Sequence, residues 1–292
     1  MNRRVFIKRT TFAAGLPFLP FIYKTGIKFP GSEDEEIFAR KISFAKSHNL
    51  LARPINEVVT EMGKSFIGTD YVADTLEQPG EEHLVINLHG LDCVTFCENS
   101  LALARCIKSN KTSFDDFKVT LQYMRYRGGV INGYPSRLHY FSDYIFDGEK
   151  KGIFKNVTKQ IGGDPYNKTI DFMSTHADLY PKLKGRPEFI AELKKQEAAI
   201  NQRNLYHIPK DKIDSIGDKI HSGDILAITT SIKGIDVSHT GMAIWQDSKL
   251  HFMHAPDVGY KVHITENSLS EYLASHEKQM GIMVARPLEV NG

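Results

Sequence analysis

One sequence feature limits the possible folds most strongly. The spacing of apolar residues is typical of helices in the first part of the chain and of strands in the last part. In the first two-thirds, apolar residues recur at helical spacing, as in 93–107 and 187–204. In the last third, short apolar runs predict strands at 224–230, 238–246 and 250–255. Helices followed by antiparallel strands indicate an α+β fold rather than a doubly wound parallel sheet. We therefore expect a buried helix packed on an antiparallel sheet.

The division of the chain into domains follows from its length and from the absence of linkers. The sequence has 292 residues and shows no internal repeat or low-complexity tract. Residues 31–292 are predicted to form one catalytic domain with helical insertions. Two further elements are predicted locally, a strand at Leu84–Leu88 and a helix at Arg137–Phe146.

The first 30 residues have the pattern of an export signal. Arg3 and Arg4 precede an uncharged, apolar stretch from Thr10 to Tyr23, which is short for a membrane span. The order of residues after the two arginines resembles a twin-arginine signal, and an ordinary secretory signal or an uncleaved anchor fits the same stretch. We expect an exported, periplasmic protein without stable membrane insertion after export.

Net charge argues against one class of partner. The formal net charge is +2, and no basic patch interleaved with aromatic residues occurs along the chain. A nucleic-acid-binding domain needs such a field to hold phosphates. We therefore expect no nucleic-acid partner. The sequence calls for no cofactor, and it does not determine the oligomeric state.

Cys93 is the candidate nucleophile. It follows Asp92, a good N-cap residue, at the first turn of a predicted helix. Unpaired backbone N–H groups and the helix dipole stabilise a thiolate at that position, and the same N–H groups can hold an oxyanion. Cys97 and Cys106, the other two cysteines, lie deeper in the helix and are interpreted as core thiols. A core role for Cys93 stays open on this motif alone.

Two of the twelve histidines are candidates for the base that a thiolate nucleophile needs. His239 begins a predicted strand, and His254 ends the next strand 15 residues later, across the Asp247-Ser248 turn. Adjacent antiparallel strands can bring the two rings together, so that His254 orients His239. A cysteine with two histidines also matches some zinc catalysts. Cys93 has no CxxC companion and the chain has no HExxH element, so we predict no metal.

These residues resemble the NlpC-type branch of papain-like cell-wall hydrolases. The branch has Asp-Cys-x-x-Phe at a helix start, then His-x-Gly on a strand, then a polar residue on the next strand. The corresponding segments here are 92–96, 239–241 and His254, and Gly223-Asp224 resembles the dipeptide that leads into the first core strand. The match is closest to a subgroup similar to N-acetylmuramoyl-L-alanine amidases, through four segments: 68–71, 87–96, 136–141 and 237–239.

The resemblance implies a papain-like fold and cleavage of the amide between N-acetylmuramic acid and L-alanine in small muropeptides, including 1,6-anhydro forms. It implies substrate contacts for Tyr71 and Asp92 near the thiol. Arg137 and His139 would contact the sugar or a peptide carboxylate. The chain departs from the subgroup at three positions, Asp70, Cys97 and Pro256, which affect the pocket more than the catalytic pair.

Three other functions remain open at this stage. The same site can serve a D-glutamyl–diaminopimelate endopeptidase. Alternatively, the protein is a non-catalytic module that binds the cell wall, with Cys93 as a structural residue. A thiol transferase or a transglutaminase-like enzyme is the fourth reading, since a fold does not fix a function.

Overall fold

The computed structural model describes residues 32–290, and the predicted export signal lies outside this range. The described part combines helices with a mainly antiparallel sheet, so the predicted α+β class is confirmed. The α-helices in this range are α1 (Glu33–Ser47), α2 (Ile55–Lys64), α3 (Cys93–Lys108), α4 (Phe114–Arg125), α5 (Phe141–Lys150), α6 (Phe172–Thr175), α7 (Pro187–Asn201), α8 (Ile213–Ile216) and α9 (Leu269–Ala274). None of them combines the length and the apolar character that crossing a bilayer requires.

The strands form two sheets within the described range. The strands are β1 (Asp70–Tyr71), β2 (Gly90–Leu91), β3 (Phe154–Asn156), β4 (Asp164–Pro165), β5 (Tyr206–Pro209), β6 (Ile225–Thr230), β7 (Val237–Gln246), β8 (Lys249–His254), β9 (His263–Ile264) and β10 (Gln279–Pro287). β1 and β2 form a short parallel pair. The large sheet has the order β4-β5-β10-β6-β7-β8-β9, and β3 also pairs with β10. Neighbouring strands in this sheet are antiparallel.

The turn between β7 and β8 sets the register on which the site depends. Asp247 and Ser248 have φ values of 47° and 61°, the left-handed conformation that a two-residue hairpin turn uses. The hairpin pairs Gly241 with His254. A slip by one residue would move every side chain of β8 to the other face of the sheet, so the turn fixes which way His254 points.

Three apolar clusters hold the described elements together. The first lies between α3 and one face of the sheet, the second on the opposite face, and the third inside the helical segment that contains α6 and α7. Representative buried members are Phe96, Leu101 and Met242 in the first cluster, Ile228, Phe252 and Leu273 in the second, and Ile170, Leu193 and Ile235 in the third. Each fully buried side chain of this kind stabilises the fold by about 1.5–3 kcal/mol.

The strand predicted at Leu84–Leu88 is wrong, because these residues form no ladder. Side chains from two helices donate hydrogen bonds to backbone carbonyls of this segment instead. The Arg125 guanidinium donates to the Val85 carbonyl, and the Asn99 side chain donates to the Asn87 carbonyl. The apolar run is therefore bound between α3 and α4 without a strand partner, which its local pattern could not indicate.

The helix predicted from Arg137 begins instead at Phe141, and residues 137–140 precede it as non-helical chain. No side chain from within the segment caps α5. The carboxylate of Asp236 accepts the N–H of Ser142 at 2.8 Å and supplies a cap from a distant part of the chain. The prediction placed the start too early because this cap is a tertiary contact.

The turn before β6 is held by an ion pair between buried Asp224 and partly buried Arg286. Gly223 has φ 86°, and a Cβ there would lie 2.3 Å from the Asn56 carbonyl oxygen, so glycine is required. The next residue, Asp224, is fully buried, and its two oxygens accept from Nε and Nη2 of Arg286 at 2.9 and 2.7 Å. This bidentate pair ties the start of β6 to β10.

We expect Asp224→Ala to lower the free energy of unfolding by about 3 kcal/mol, because it leaves the Arg286 charge without its buried partner. Urea denaturation measures the change. Glu36→Ala, which removes a partly exposed carboxylate 3.8 Å from exposed Arg40, is the control and should cost less than about 1 kcal/mol. Equal losses in the two variants would contradict a structural role for the buried pair.

Candidate active site

The first turn of α3 is built by a reciprocal cap. Oδ1 of Asp92 accepts the N–H groups of Val94 and Thr95 at 2.9 and 2.8 Å. The Thr95 hydroxyl in turn accepts the Asp92 N–H at 2.9 Å. This capping box confirms the predicted helix start and makes Cys93 the first helical residue.

A hydrogen bond from the sheet fixes the position of Cys93. The Thr240 hydroxyl on β7 donates to the Cys93 carbonyl at 2.7 Å. On the other side, Leu91 pairs with Tyr71 in the short parallel sheet. Cys93 therefore lies beside β7, one residue along from the strand position of His239. Its side chain is only partly buried, whereas Cys97 and Cys106 are buried.

His239 follows a bulge in β7. Its Cα pairs with Ile228, whereas Thr229 pairs with Val237, so Ser238 is an extra residue in the strand. Nε2 of His239 lies 2.6 Å from Nδ1 of His254, and the two rings are nearly perpendicular. The structure thus brings together the two histidines that the hairpin spacing singled out.

The surroundings of the two rings favour their neutral forms. Burial lowers the pKa of His239 to about 4, with the charges of His276 and His263 adding to the effect and Asp92 opposing it. Burial also lowers the pKa of His254 well below its usual range, with His239 as a further cause. A neutral His239 can accept a proton at neutral pH.

Cys93 and His239 line one cavity of about 160 Å³. Its walls are mainly apolar and include Leu138, Phe141 and Ile235. Leu138 and Phe141 are far from either catalytic candidate in sequence, whereas Ile235 lies just before β7, the strand that carries His239. The cavity therefore lies between the N-terminal end of α3 and the part of the chain that runs from α4 to β7.

Arg137 and His139, for which the resemblance implies substrate contacts, line this same cavity. Arg137 is only 4% exposed, and its guanidinium is engaged by protein groups, since it donates to the Leu76 carbonyl at 3.1 Å and to Glu77 at 2.6 Å. Nε2 of His139 lies 2.8 Å from the Tyr134 carbonyl oxygen. The two bonds of Arg137 use two of the five guanidinium N–H donors, and its Nε, 3.4 Å from Glu82, has no hydrogen-bond partner in the described range. The substrate contact expected for Arg137 stays a prediction.

Tyr71 and Asp92 are adjacent to the site but are not among the residues that line the cavity. The Tyr71 N–H donates to the Tyr260 carbonyl at 2.7 Å, and its ring packs against the first apolar cluster. Asp92 is fully buried and caps α3. The substrate contacts expected for these two residues stay predictions.

Several residues that line the cavity were not among the predicted site residues. Glu98 and Arg125 form a buried ion pair at 2.8 Å, and burial raises the pKa of the Glu98 carboxyl. Both residues line the cavity, together with Tyr134 and Tyr144. A charged residue in the middle of an otherwise buried helix is the signal that would have identified Glu98.

The other two cysteines have the environment of core thiols. Burial raises the pKa of Cys97 well above its usual range and that of Cys106 to about 11. No disulfide joins the three cysteines. Between residues 32 and 290, no group of three or more His, Cys, Asp or Glu side chains is arranged to hold a metal ion.

Comparison with known proteins identifies relatives over most of the chain. A family model described as N-acetylmuramoyl-L-alanine amidase-like matches residues 61–282. The crystal structure of an N-acetylmuramoyl-L-alanine amidase from Bacteroides uniformis is 37% identical, with a TM-score of 0.77, and the match covers 80% of this chain and 99% of that one. No curated protein matches the chain.

Two further solved structures are similar. A protein from Bacteroides fragilis, described as a putative xylanase, is 39% identical with a TM-score of 0.74, and the match covers 77% of this chain and 99% of that one. A protein from Legionella pneumophila is 23% identical with a TM-score of 0.63, and the match covers 88% of this chain and 97% of that one. At that identity the likeness concerns the fold alone.

The low pKa of His239 makes stability depend on pH. An unfolded histidine takes up its proton near pH 6.5, whereas folded His239 does so near pH 4. Between these values the unfolded chain binds more protons, so the free energy of unfolding falls as the pH falls. We expect this residue to contribute a loss of about 2 kcal/mol between pH 7 and pH 5.

Urea denaturation at both pH values measures this loss. His239→Gln should reduce the difference between them, and His48→Gln, at an exposed site on the surface, should leave it unchanged. A pH dependence that is the same in wild type and His239→Gln would contradict the assignment.

Proposed function

The chain belongs to the N-acetylmuramoyl-L-alanine amidase-like family, and on that premise we propose that it hydrolyses the amide between N-acetylmuramic acid and L-alanine in peptidoglycan fragments. Cys93 is the nucleophile and His239 its base, in a papain-like site of the NlpC type. The observation that carries the proposal is the cavity that these two side chains share.

The position of Cys93 supports its role as nucleophile. It is the first residue of α3, a helix of 16 residues. The positive end of the helix dipole stabilises a thiolate there. Cys97 and Cys106 lie further along the same helix, where burial raises the pKa of each thiol. Among the three cysteines, only Cys93 combines partial exposure with a helix start.

The contact between the histidines supports the assignment of the base. When Nε2 of His239 carries the shared proton, it donates to Nδ1 of His254 across 2.6 Å. Nδ1 of His239 then keeps its lone pair and can take the thiol proton. His254 acts as a positioning residue, because it fixes the tautomer and the orientation of the His239 ring.

The reaction proceeds by acyl transfer in two steps. The Cys93 sulfur attacks the carbonyl carbon of the lactyl group while His239 holds the thiol proton, and the oxyanion accepts a hydrogen bond from the Cys93 backbone N–H. The C–N bond breaks as His239 gives its proton to the L-alanine nitrogen. Water, deprotonated by His239, then attacks the thioester, and the sulfur leaves as the thiol when His239 returns the proton.

The biological setting is part of the proposal. An export signal over residues 1–30, followed by a single catalytic domain, would place the enzyme in the periplasm, where wall turnover releases soluble fragments. The small, partly enclosed cavity favours muropeptides over crosslinked wall. Fragments with 1,6-anhydro ends are included among the proposed substrates.

We expect Cys93→Ala to lower the release of peptide from N-acetylmuramoyl-L-alanyl-D-glutamate by at least about 1,000-fold, because no other group can form the thioester. Chromatography with mass detection measures the products. Cys106→Ala is the control, since its sulfur packs against Thr120 on α4, away from the cavity, and this variant should keep most activity.

The products also separate the two possible bonds. Free sugar with an intact stem peptide supports the amidase, whereas a sugar that keeps L-alanyl-D-glutamate, released from a longer stem, identifies the endopeptidase. Undiminished turnover by Cys93→Ala would exclude the cysteine mechanism.

Thiol alkylation tests the same assignment without a substrate. At pH 7 we expect iodoacetamide to modify Cys93 at least about 100-fold faster than Cys97 or Cys106, since thiolate fraction and exposure control the rate. Peptide mapping by mass spectrometry over time gives the three rates. Comparable rates for all three would show that Cys93 is an ordinary structural thiol.

A further inference from the structure

A second cavity, of about 460 Å³, adjoins the one that contains Cys93. It is formed by residues 77–82 and 181–189, and Glu77 and Tyr134 line both cavities. The second cavity is therefore next to the end of the catalytic cavity where Arg137 lies. A substrate that extends beyond the catalytic cavity in this direction enters a surface on which half of the lining residues are charged.

The acidic side chains of the second cavity are all neutralised by cations. Each of its three glutamates has a lysine or arginine nitrogen within 4 Å, in the pairs Glu77–Arg137, Glu81–Arg186 and Glu82–Lys182. Lys182 also donates to the Gly80 carbonyl at 2.9 Å, which fixes its ammonium in the cavity wall. The glutamates therefore leave little uncompensated negative charge toward a ligand.

Lys184 is the cation that remains. It lines the second cavity, is exposed, and has no acidic partner between residues 32 and 290. The lining residues carry three negative and three positive charges, and Lys184 is the cation among them that no carboxylate of the described range pairs with. A ligand with carboxylates matches such a surface.

We propose that the second cavity binds the carboxylates of the stem peptide, on the leaving-group side of the scissile amide, with Lys184 as the main contact. This inference rests on the proposed function. Once the lactyl carboxyl of muramic acid is joined to L-alanine, the sugar carries no charge, so the peptide is the only anionic part of the substrate. The carboxylates of the residue after L-alanine are the nearest anionic groups to the bond that breaks.

Binding to the Cys93→Ala protein tests the proposal without requiring turnover. Isothermal titration calorimetry compares N-acetylmuramoyl-L-alanyl-D-glutamate with its diamide, in which both glutamate carboxylates are neutral. We expect the diacid to bind about tenfold more tightly than the diamide. Adding Lys184→Glu should weaken the diacid about fivefold or more and leave the diamide unchanged. Lys184 has φ −63°, so the replacement introduces no backbone strain.

Lys194→Glu in the same background is the matched control, because Lys194 is exposed on α7, has no acidic partner in the described range, and does not line the second cavity. It makes the same change of net charge and should leave both affinities unchanged. Equal weakening by the two lysine variants, equal weakening of diacid and diamide, or no preference for the diacid would each overturn the proposal.

The two proposals fail in different ways. If the wild-type enzyme cleaves neither compound but the Cys93→Ala protein still binds the diacid more tightly through Lys184, the proposed amidase reaction is wrong and the proposed carboxylate subsite stands. If the wild-type enzyme cleaves the diacid at the sugar–alanine bond but the Cys93→Ala protein binds diacid and diamide equally well, the proposed subsite is wrong and the proposed reaction stands.

Discussion

The hydrogen bond between the Thr240 hydroxyl and the Cys93 carbonyl is the contact on which the site depends. It attaches the first turn of α3 to the strand that carries His239. Asp92 and Thr95 cap that turn reciprocally, so the helix start is held both by its own cap and by the sheet. A capped helix end held against one strand gives the sulfur a fixed place relative to the imidazole, which nucleophilic catalysis needs.

The three apolar clusters support different residues of the cavity and of the catalytic candidates. The cluster beneath α3 positions Cys93, and the cluster on the opposite face of the sheet contains Phe252, whose ring lies beside those of His239 and His254. The third cluster supports Ile235 and Met173, which wall the cavity from the helical segment. The first cluster also contains Phe141 and Tyr144 of the cavity wall, so the wall rests on the first and third clusters together.

Charged side chains in the cavity wall are arranged in buried or partly buried ion pairs. Glu98 pairs with Arg125, and Glu77 pairs with Arg137. Each of these four side chains in the cavity wall therefore has a partner of opposite charge. Losing either partner of a buried pair leaves an uncompensated charge, so both pairs shape the wall more than they offer contacts to a ligand. Arg137, which was expected to bind a carboxylate, uses part of its guanidinium for contacts within the protein.

The sequence by itself determined the α+β class, the capped helix at Cys93, and the hairpin that joins His239 to His254. These features follow from local rules: an N-cap residue before an apolar helix, period-two strands, and a two-residue turn. It did not determine the cavity wall, the partners of Arg137, or the start of α5, and it gave a strand at Leu84–Leu88 that does not form. Those depend on contacts such as Asp236 with Ser142 and Asn99 with Asn87, between residues 12 to 94 positions apart. Local patterns carry no information on such distant pairs, so only the packed tertiary structure decided them.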